Sequence, residues 1–354
     1  MAGDRTESEE ARTTRSVPRT DRSAASGTLA FHRQSLSFDS LSLSYVLEDR
    51  YAAGLAEGGI DATIVTCFID EDWPDTLRLV EAFLERTERS PLLRLAMSAA
   101  DVRRAKRDGK IAVVMGSQGS SCIGEELSRL ATLVRFGLRS VQLAYTGANL
   151  YGDGCGERRN AGLTVLGEEF IAAVNEQPLM LDLSHCGHRT TDEAIARATN
   201  PVCTHANAFA VHPVDRNKKD ETVTALVAKG GMIGVCMPPR FVGPGQPDLD
   251  DVLDHVDHLC RLVGPGNVGT GFDFTEKMQV EKTDLTEARR WRRRRPDIFG
   301  SSEEFAARVN PPGLETVRDA VNFTRGLFDR GYDEAMAAGI LGENWMRVFS
   351  RVAG

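Results

Sequence analysis

The stretch Leu181–Asn217, LDLSHCGHRTTDEAIARATNPVCTHANAFAVHPVDRN, decides how the rest of the chain is read. Two short apolar runs each end in a hydroxyl residue and a histidine, at Ser184-His185 and Thr204-His205. One helix-length segment lies between them. A strand that stops at a polar side chain, crosses back through a helix and repeats is the βαβ unit of a parallel sheet. Imidazoles at the carboxyl ends of adjacent strands are placed to share a metal ion.

Working outward, the same alternation continues in both directions. Strands are expected at Ser35–Leu43, Ala62–Phe68, Ile111–Met115, Ser140–Ala144, Leu179–Leu183, Val202–Thr204, Met232–Cys236 and Val268–Gly271. Pro74 suits the first turn of a helix over Pro74–Arg89, with Leu77, Leu79, Val80, Phe83 and Leu84 near one stripe. Thr190 and Glu193 read as a capping box for a helix running to Ala198. Asp220 and Glu221 open another that stops before Gly230-Gly231. Eight strands alternating with helices match a (β/α)8 TIM barrel. The competing doubly wound sheet would call for a glycine-rich phosphate turn, and neither GxGxxG nor GxxxxGK[ST] occurs.

Composition sets the outer limits. The 354 residues suffice for one barrel-sized domain, and no apolar run reaches the ~18 residues of a membrane span. A net charge of -8 argues against a general nucleic-acid binder. Seven cysteines without CxxC spacing fit a reducing interior better than a disulfide framework. With no apolar stretch near Met1 to read as a secretory signal, the expected location is cytoplasmic. Residues 1–30 hold few large apolar side chains and are expected to form a disordered leader, with a single catalytic domain over 31–354.

In a barrel, the C-terminal ends of the strands converge on one rim. Read in order, those ends carry Asp39, Cys67, Gln118, Tyr145, His185, His205, Cys236 or Met237, and Asp273. Imidazole and carboxylate oxygen suit Zn²⁺, for which His185, His205, Gln118 and Asp39 are the candidate ligands. Asp273 is a candidate general base. A single histidine at a strand end is more often a hydrogen-bonded structural residue; two at successive ends favour a site. Arg216, in the polar loop after His205, reads either as a bidentate clamp for a substrate carboxylate or as a solvated charge. His188 reads as a solvated or capping residue and His212 stays open. His32, His255 and His258 are not expected in the site. The run RRWRRRR at 289–295 is a solvated face or an anion-binding one.

Five ordered motifs then carry a resemblance: LDLSHCG, PVCTHANA, DRNKKDETVTALVAKGGMIGV, NVGTGFDF and ILGENWMRVF. From about residue 36 onward the chain resembles the membrane (renal-type) dipeptidase family, peptidase family M19. The resemblance implies a (β/α)8 barrel of the metal-dependent amidohydrolase type, usually with two zinc ions, that cleaves dipeptides. It matches His185 and His205 to the ligands of the second zinc and Arg216 to the residue that binds the substrate carboxylate. Asp273 matches the aspartate that handles the proton, and Tyr145 stands where the family has a histidine at the substrate and oxyanion. The departures lie in the other half of the centre. The opening Asp-x-His-x-Asp is here Asp39-Ser40-Leu41-Ser42-Leu43, and the bridging glutamate is Gln118. The resemblance therefore implies a divergent branch that has lost the first-zinc ligands and keeps one ion. Cys155 and Glu157, in the loop after the fourth strand, are either replacement ligands or ordinary loop residues.

These readings lead to a mononuclear zinc hydrolase, a metalloprotease-type dipeptidase acting on a dipeptide or similar small amide. The partner expected is a small molecule, with no nucleic acid or membrane and a homodimer as the assembly to test. The alternatives are a metal-assisted lyase or tailoring step on an amino-acid-derived metabolite, and a catalytically silent homologue.

Overall fold

The computed structural model describes residues 22–277, 286–301, 303–304 and 310–354. Nine strands are described: β1 Phe38–Leu43, β2 Ala62–Phe68, β3 Leu93–Leu95, β4 Ile111–Ser117, β5 Leu138–Gln142, β6 Met180–Asp182, β7 Pro201–Val202, β8 Ile233–Val235 and β9 Val268–Thr270. All eight expected strands are present, within a few residues of their expected bounds. β3 is the addition. It pairs with the first residues of β4, Leu93 opposite Ile111, beside the point where β5 takes over at Met115 opposite Leu138.

The sheet runs β1-β2-β4-β5-β6-β7 in parallel, and β8 pairs with β9. Single bonds complete the ring. Cys203 N donates to Met232 O at 3.0 Å and Gly234 N to Cys203 O at 2.8 Å, joining β7 to β8. Across the last seam Asp273 N donates to Leu41 O at 3.3 Å, and Thr270 Oγ1 to Phe38 O at 3.1 Å. The result is the expected (β/α)8 barrel.

Between the strands run α1 Arg22–Gln34, α2 Asp49–Glu57, α3 Trp73–Arg89, α4 Ala99–Arg107, α5 Ser128–Arg135, α6 Val165–Asn175, α7 His188–Arg197, α8 Asp220–Ala228, α9 Pro239–Val242, α10 Leu249–Val263 and α11 Thr286–Arg294. The helix expected at Pro74 is α3, capped by Asp72, whose carboxylate accepts from Asp75 N. The capping box expected at Thr190 is not made. α7 begins earlier, at His188, and Glu193 instead accepts from Leu163 N at 2.8 Å and Arg189 Nε at 2.7 Å. The expected domain boundary near Phe31 falls inside α1. His32 on that helix is buried, its Nδ1 on Thr324 Oγ1 at 2.7 Å and its Nε2 on Gly58 O at 2.8 Å, so tertiary bonds order a segment of weak local propensity. Residues 1–21 of the expected leader lie outside the described residues.

The barrel interior changes character along its axis. Towards the N-terminal ends Phe38, Ile64, Val114, Met180 and Met232 form an apolar plug, closed from below by Trp345 and Phe349 of the C-terminal helix Asn344–Ala353. Towards the C-terminal ends the buried residues turn polar: Ser40, Gln118, Gln142, Asp182, Ser184 and Thr204. A polar layer beneath one rim needs partners, and it supplies them to the side chains above. No helix among the described residues is long and apolar enough to cross a membrane.

Candidate functional site

β6 and β7 lead, three residues past their ends, to the two histidines from which the reading began. Both are buried, and their Nε2 atoms face each other at 2.9 Å. What aims them is Asp182, a carboxylate inside β6. Its Oδ1 accepts from Ser184 N at 3.0 Å, Ser184 Oγ at 2.5 Å and Thr204 N at 3.0 Å, and its Oδ2 accepts from Thr204 Oγ1 at 2.7 Å. Thr204 has then used its only proton, so at the 2.7 Å contact with His205 Nδ1 its oxygen accepts. This fixes the tautomer of His205, with the proton on Nδ1 and a lone pair on Nε2. His185 Nδ1 faces Thr146 Oγ1 at 3.3 Å, and the Tyr145 ring lies over the imidazole with centroids 4.4 Å apart. Burial, followed by the charge of Arg216, holds both histidines well below their ordinary pKa, so the pair is neutral.

Two nitrogens facing each other at this distance need a proton or a cation between them. A tetrahedral zinc with Zn–N of about 2.0–2.1 Å would set its nitrogens about 3.3 Å apart. The pair therefore fits an ion after opening by about 0.4 Å, with Asp182 acting through Thr204 as the outer partner that orients a ligand histidine. No third His, Cys, Asp or Glu joins the pair in a metal-binding group among the described residues. Leu41 is buried in β1, where the resemblance would put a ligand. The Gln118 amide donates to Thr66 Oγ1 at 3.0 Å. Cys155 is tied to the neighbourhood through its backbone, with its N on His185 O at 2.7 Å, while Glu157 accepts from Ala148 N.

The two candidate aspartates meet at the seam between β1 and β9. Asp39 Oδ1 accepts from Phe272 N at 2.8 Å and Leu41 N at 3.4 Å, and burial pushes its carboxyl up to about 7 against those bonds. Asp273, half-buried, has φ of +57°, an unusual left-handed backbone for a non-glycine residue. Desolvation pushes it to about 7 as well, with Arg216 opposing the shift and Asp39 adding to it.

Arg216 is fully buried. Its Nη1 donates to Ser184 O at 2.6 Å and its Nη2 to His205 O at 2.7 Å, while Nε has no partner among the described residues. Among the described residues no carboxylate pairs with it, so a positive charge without a counter-ion sits directly behind the histidines. Beside β6, Gln142 on β5 is opposite Asp182 and fully buried, and among the described residues neither its amide oxygen nor its nitrogen finds a partner.

Three of the other histidines bond to groups outside this pair. His255 Nε2 bonds Val242 O and its Nδ1 accepts from Ala208 N; His258 pairs with Asp220 at 2.8 Å; His212 bonds Arg240 O. His188 stands edge-on to Phe209. The residues that sequence reasoning passed over are Asp182, Thr204, Thr146 and Gln142. A signal for Asp182 was present, because a carboxylate inside the apolar run LMLDLS must be compensated once buried.

Comparison with known proteins adds an independent line. Residues 43–292 match the family model described as membrane dipeptidase (peptidase family M19). An uncharacterized protein in the pqqA 5′ region of Klebsiella pneumoniae is 28% identical over 272 residues, covering 73% of this chain and 89% of that protein. The dipeptidase tcpJ of Claviceps purpurea is 31% identical over 202 residues, 56% of this chain and 46% of its own length. Among solved structures, an amidohydrolase from Pseudomonas aeruginosa superposes with a TM-score of 0.81 at 28% identity, over 92% of this chain and 99% of that one.

Proposed function

The chain belongs to the membrane dipeptidase family, peptidase family M19, and from that premise we propose that it is a hydrolase of dipeptides or similar small amides that works with one zinc ion. The reading is carried by the two Nε2 atoms that face each other at 2.9 Å, with the His205 lone pair fixed by Thr204. His185 and His205 would hold the ion, with the Gln118 amide oxygen and Asp39 as the further donors to test. When bound, the ion supplies Lewis acidity towards the scissile carbonyl.

The chain's own residues do the rest. Asp273 takes the proton of the attacking water at its carboxylate and returns it to the leaving amine. The Tyr145 hydroxyl, held protonated because burial and then Asp273 raise its pKa, donates to the developing oxyanion. Arg216, whose Nε has no partner among the described residues, binds the substrate carboxylate. A metal-assisted step other than peptide cleavage is the second reading, favoured by the neutral residues Leu41, Leu43 and Gln118 on the side of the site where the resemblance puts charged ligands.

The test is metal content with turnover. The wild type should carry about one zinc per chain. His185→Ala and His205→Ala should lose that ion and at least ~100-fold in kcat/KM for dipeptides. Full activity in a zinc-free His205→Ala protein would end the proposal. A zinc-loaded wild type that cleaves no dipeptide would favour the second reading.

A further inference from the structure

Two residues after Arg216 the chain buries a second cation. Lys218 is 1% exposed, although its stretch Asp215–Glu221, DRNKKDE, reads as a polar loop. Its Nζ donates to Cys186 O at 2.9 Å and to Thr191 Oγ1 at 3.2 Å, so both of these partners are neutral. Thr191 lies in the first turn of α7, where the helix dipole is positive and disfavours an ammonium. Burying an ammonium without a carboxylate is costly, and an apolar side chain of the same length would fill the space without that cost. The charge therefore needs a reason other than stability.

The reason lies in what the nitrogen holds. Three successive carbonyls run past His185, and each has a donor. Ser184 O accepts from Arg216 Nη1 at 2.6 Å, His185 O from Cys155 N at 2.7 Å, and Cys186 O from Lys218 Nζ. The other end of the grip is anchored on the segment that carries His205. Lys218 N donates to Asn207 O at 2.8 Å and Phe209 N to Lys218 O at 2.8 Å, while Arg216 Nη2 holds His205 O. Lys218 thus ties the two histidine-bearing segments together, by a charge-assisted bond on one side and backbone bonds on the other. The 2.9 Å between the facing Nε2 atoms depends on how firmly those segments are held.

We propose that Lys218 is a positioning residue for the metal pair. Through the Cys186 carbonyl it fixes the peptide that carries His185, and so limits how far the two imidazoles open around an ion. It acts through the backbone and not on the substrate. This role rests on the one-zinc reading above and adds the residue that sets the spacing of its ligands.

Lys218→Met removes the ammonium and keeps the length of the side chain, and Cys186 O stays within reach of Thr191 Oγ1 at 3.3 Å. The metal-free Lys218→Met protein should melt at or above the wild-type temperature. Its zinc affinity, measured by competition with a chelator, should nevertheless fall at least tenfold, and the visible spectrum of its cobalt(II) form should change. Lys218→Gln retains a neutral donor and should lie between the two. Lys219→Met, at the partly exposed neighbour, serves as control and should match the wild type in all three measurements. A Lys218→Met protein with wild-type zinc affinity and cobalt spectrum overturns the positioning role and leaves the one-zinc reading standing. A fall in affinity that comes with a lower metal-free melting temperature also overturns it, since Lys218 is then a structural residue. A wild type that takes up neither zinc nor cobalt overturns the one-zinc reading, and the positioning role with it.

Discussion

Asp273 combines a positive φ with a carboxyl that burial pushes up to about 7. Its amide donates to Leu41 O across the last seam of the barrel, and at its carboxyl the charge of Arg216 opposes the effect of burial while Asp39 adds to it. As a general base it must be ionised, so the sign is settled: kcat/KM should rise with pH through about 7 and level off above it. The pH profile of the wild type checks this, and Asp273→Asn should lose at least ~100-fold in kcat at the plateau. At this scale the sequence was informative only where a residue type carries its own chemistry. His185, His205 and Asp273 were legible because each closes an apolar run. The setting of Arg216 was not, since a loop arginine reads the same whether it is solvated or, as here, bound to two carbonyl groups inside the protein.

At the scale of elements, the strand ends act as a relay of positions. β6 contributes Asp182 and His185, β7 leads to Thr204 and His205, and one threonine hydroxyl links the carboxylate of the first to the imidazole of the second. Thr204→Val keeps the shape and removes that link. We expect a ~10–100-fold loss in zinc affinity, measured by competition with a chelator, together with a lower melting temperature because the buried Asp182 carboxylate loses one of its donors. Element positions were legible for a plain reason. Each barrel strand is buried on both faces, so it appears as an apolar run bounded by turn residues. β3 escaped because Arg94 interrupts its apolar run and only Leu93 of its three residues is buried. The start of α7 escaped because Glu193 serves a loop amide at Leu163 and a neighbouring arginine in place of its own helix end, and no local rule anticipates that.

The whole molecule divides its labour between the two ends of the barrel. The site occupies the polar C-terminal end, and the N-terminal end is sealed by Trp345, which is fully buried and donates from Nε1 to Thr270 O at 2.9 Å. Trp345→Ala should cost ~3–5 kcal/mol, read by chemical denaturation, with metal content per folded molecule unchanged. Had the same substitution emptied the zinc site, the separation of the two ends would be wrong. The barrel itself was legible from the count of strands and their alternation with helices, while its closure was not, because the last seam is made by single bonds between residues far apart in sequence. That seam has a consequence in time. Phe272 N and Asp39 Oδ1 are 233 residues apart. A ribosome releases the first strand long before the last, so β1 must wait without its neighbour, and the aspartate pair cannot exist until nearly the whole chain has been made. Synthesis itself thus keeps the candidate site incomplete, and a truncated product that ends before β9 would carry both histidines and lack Asp273.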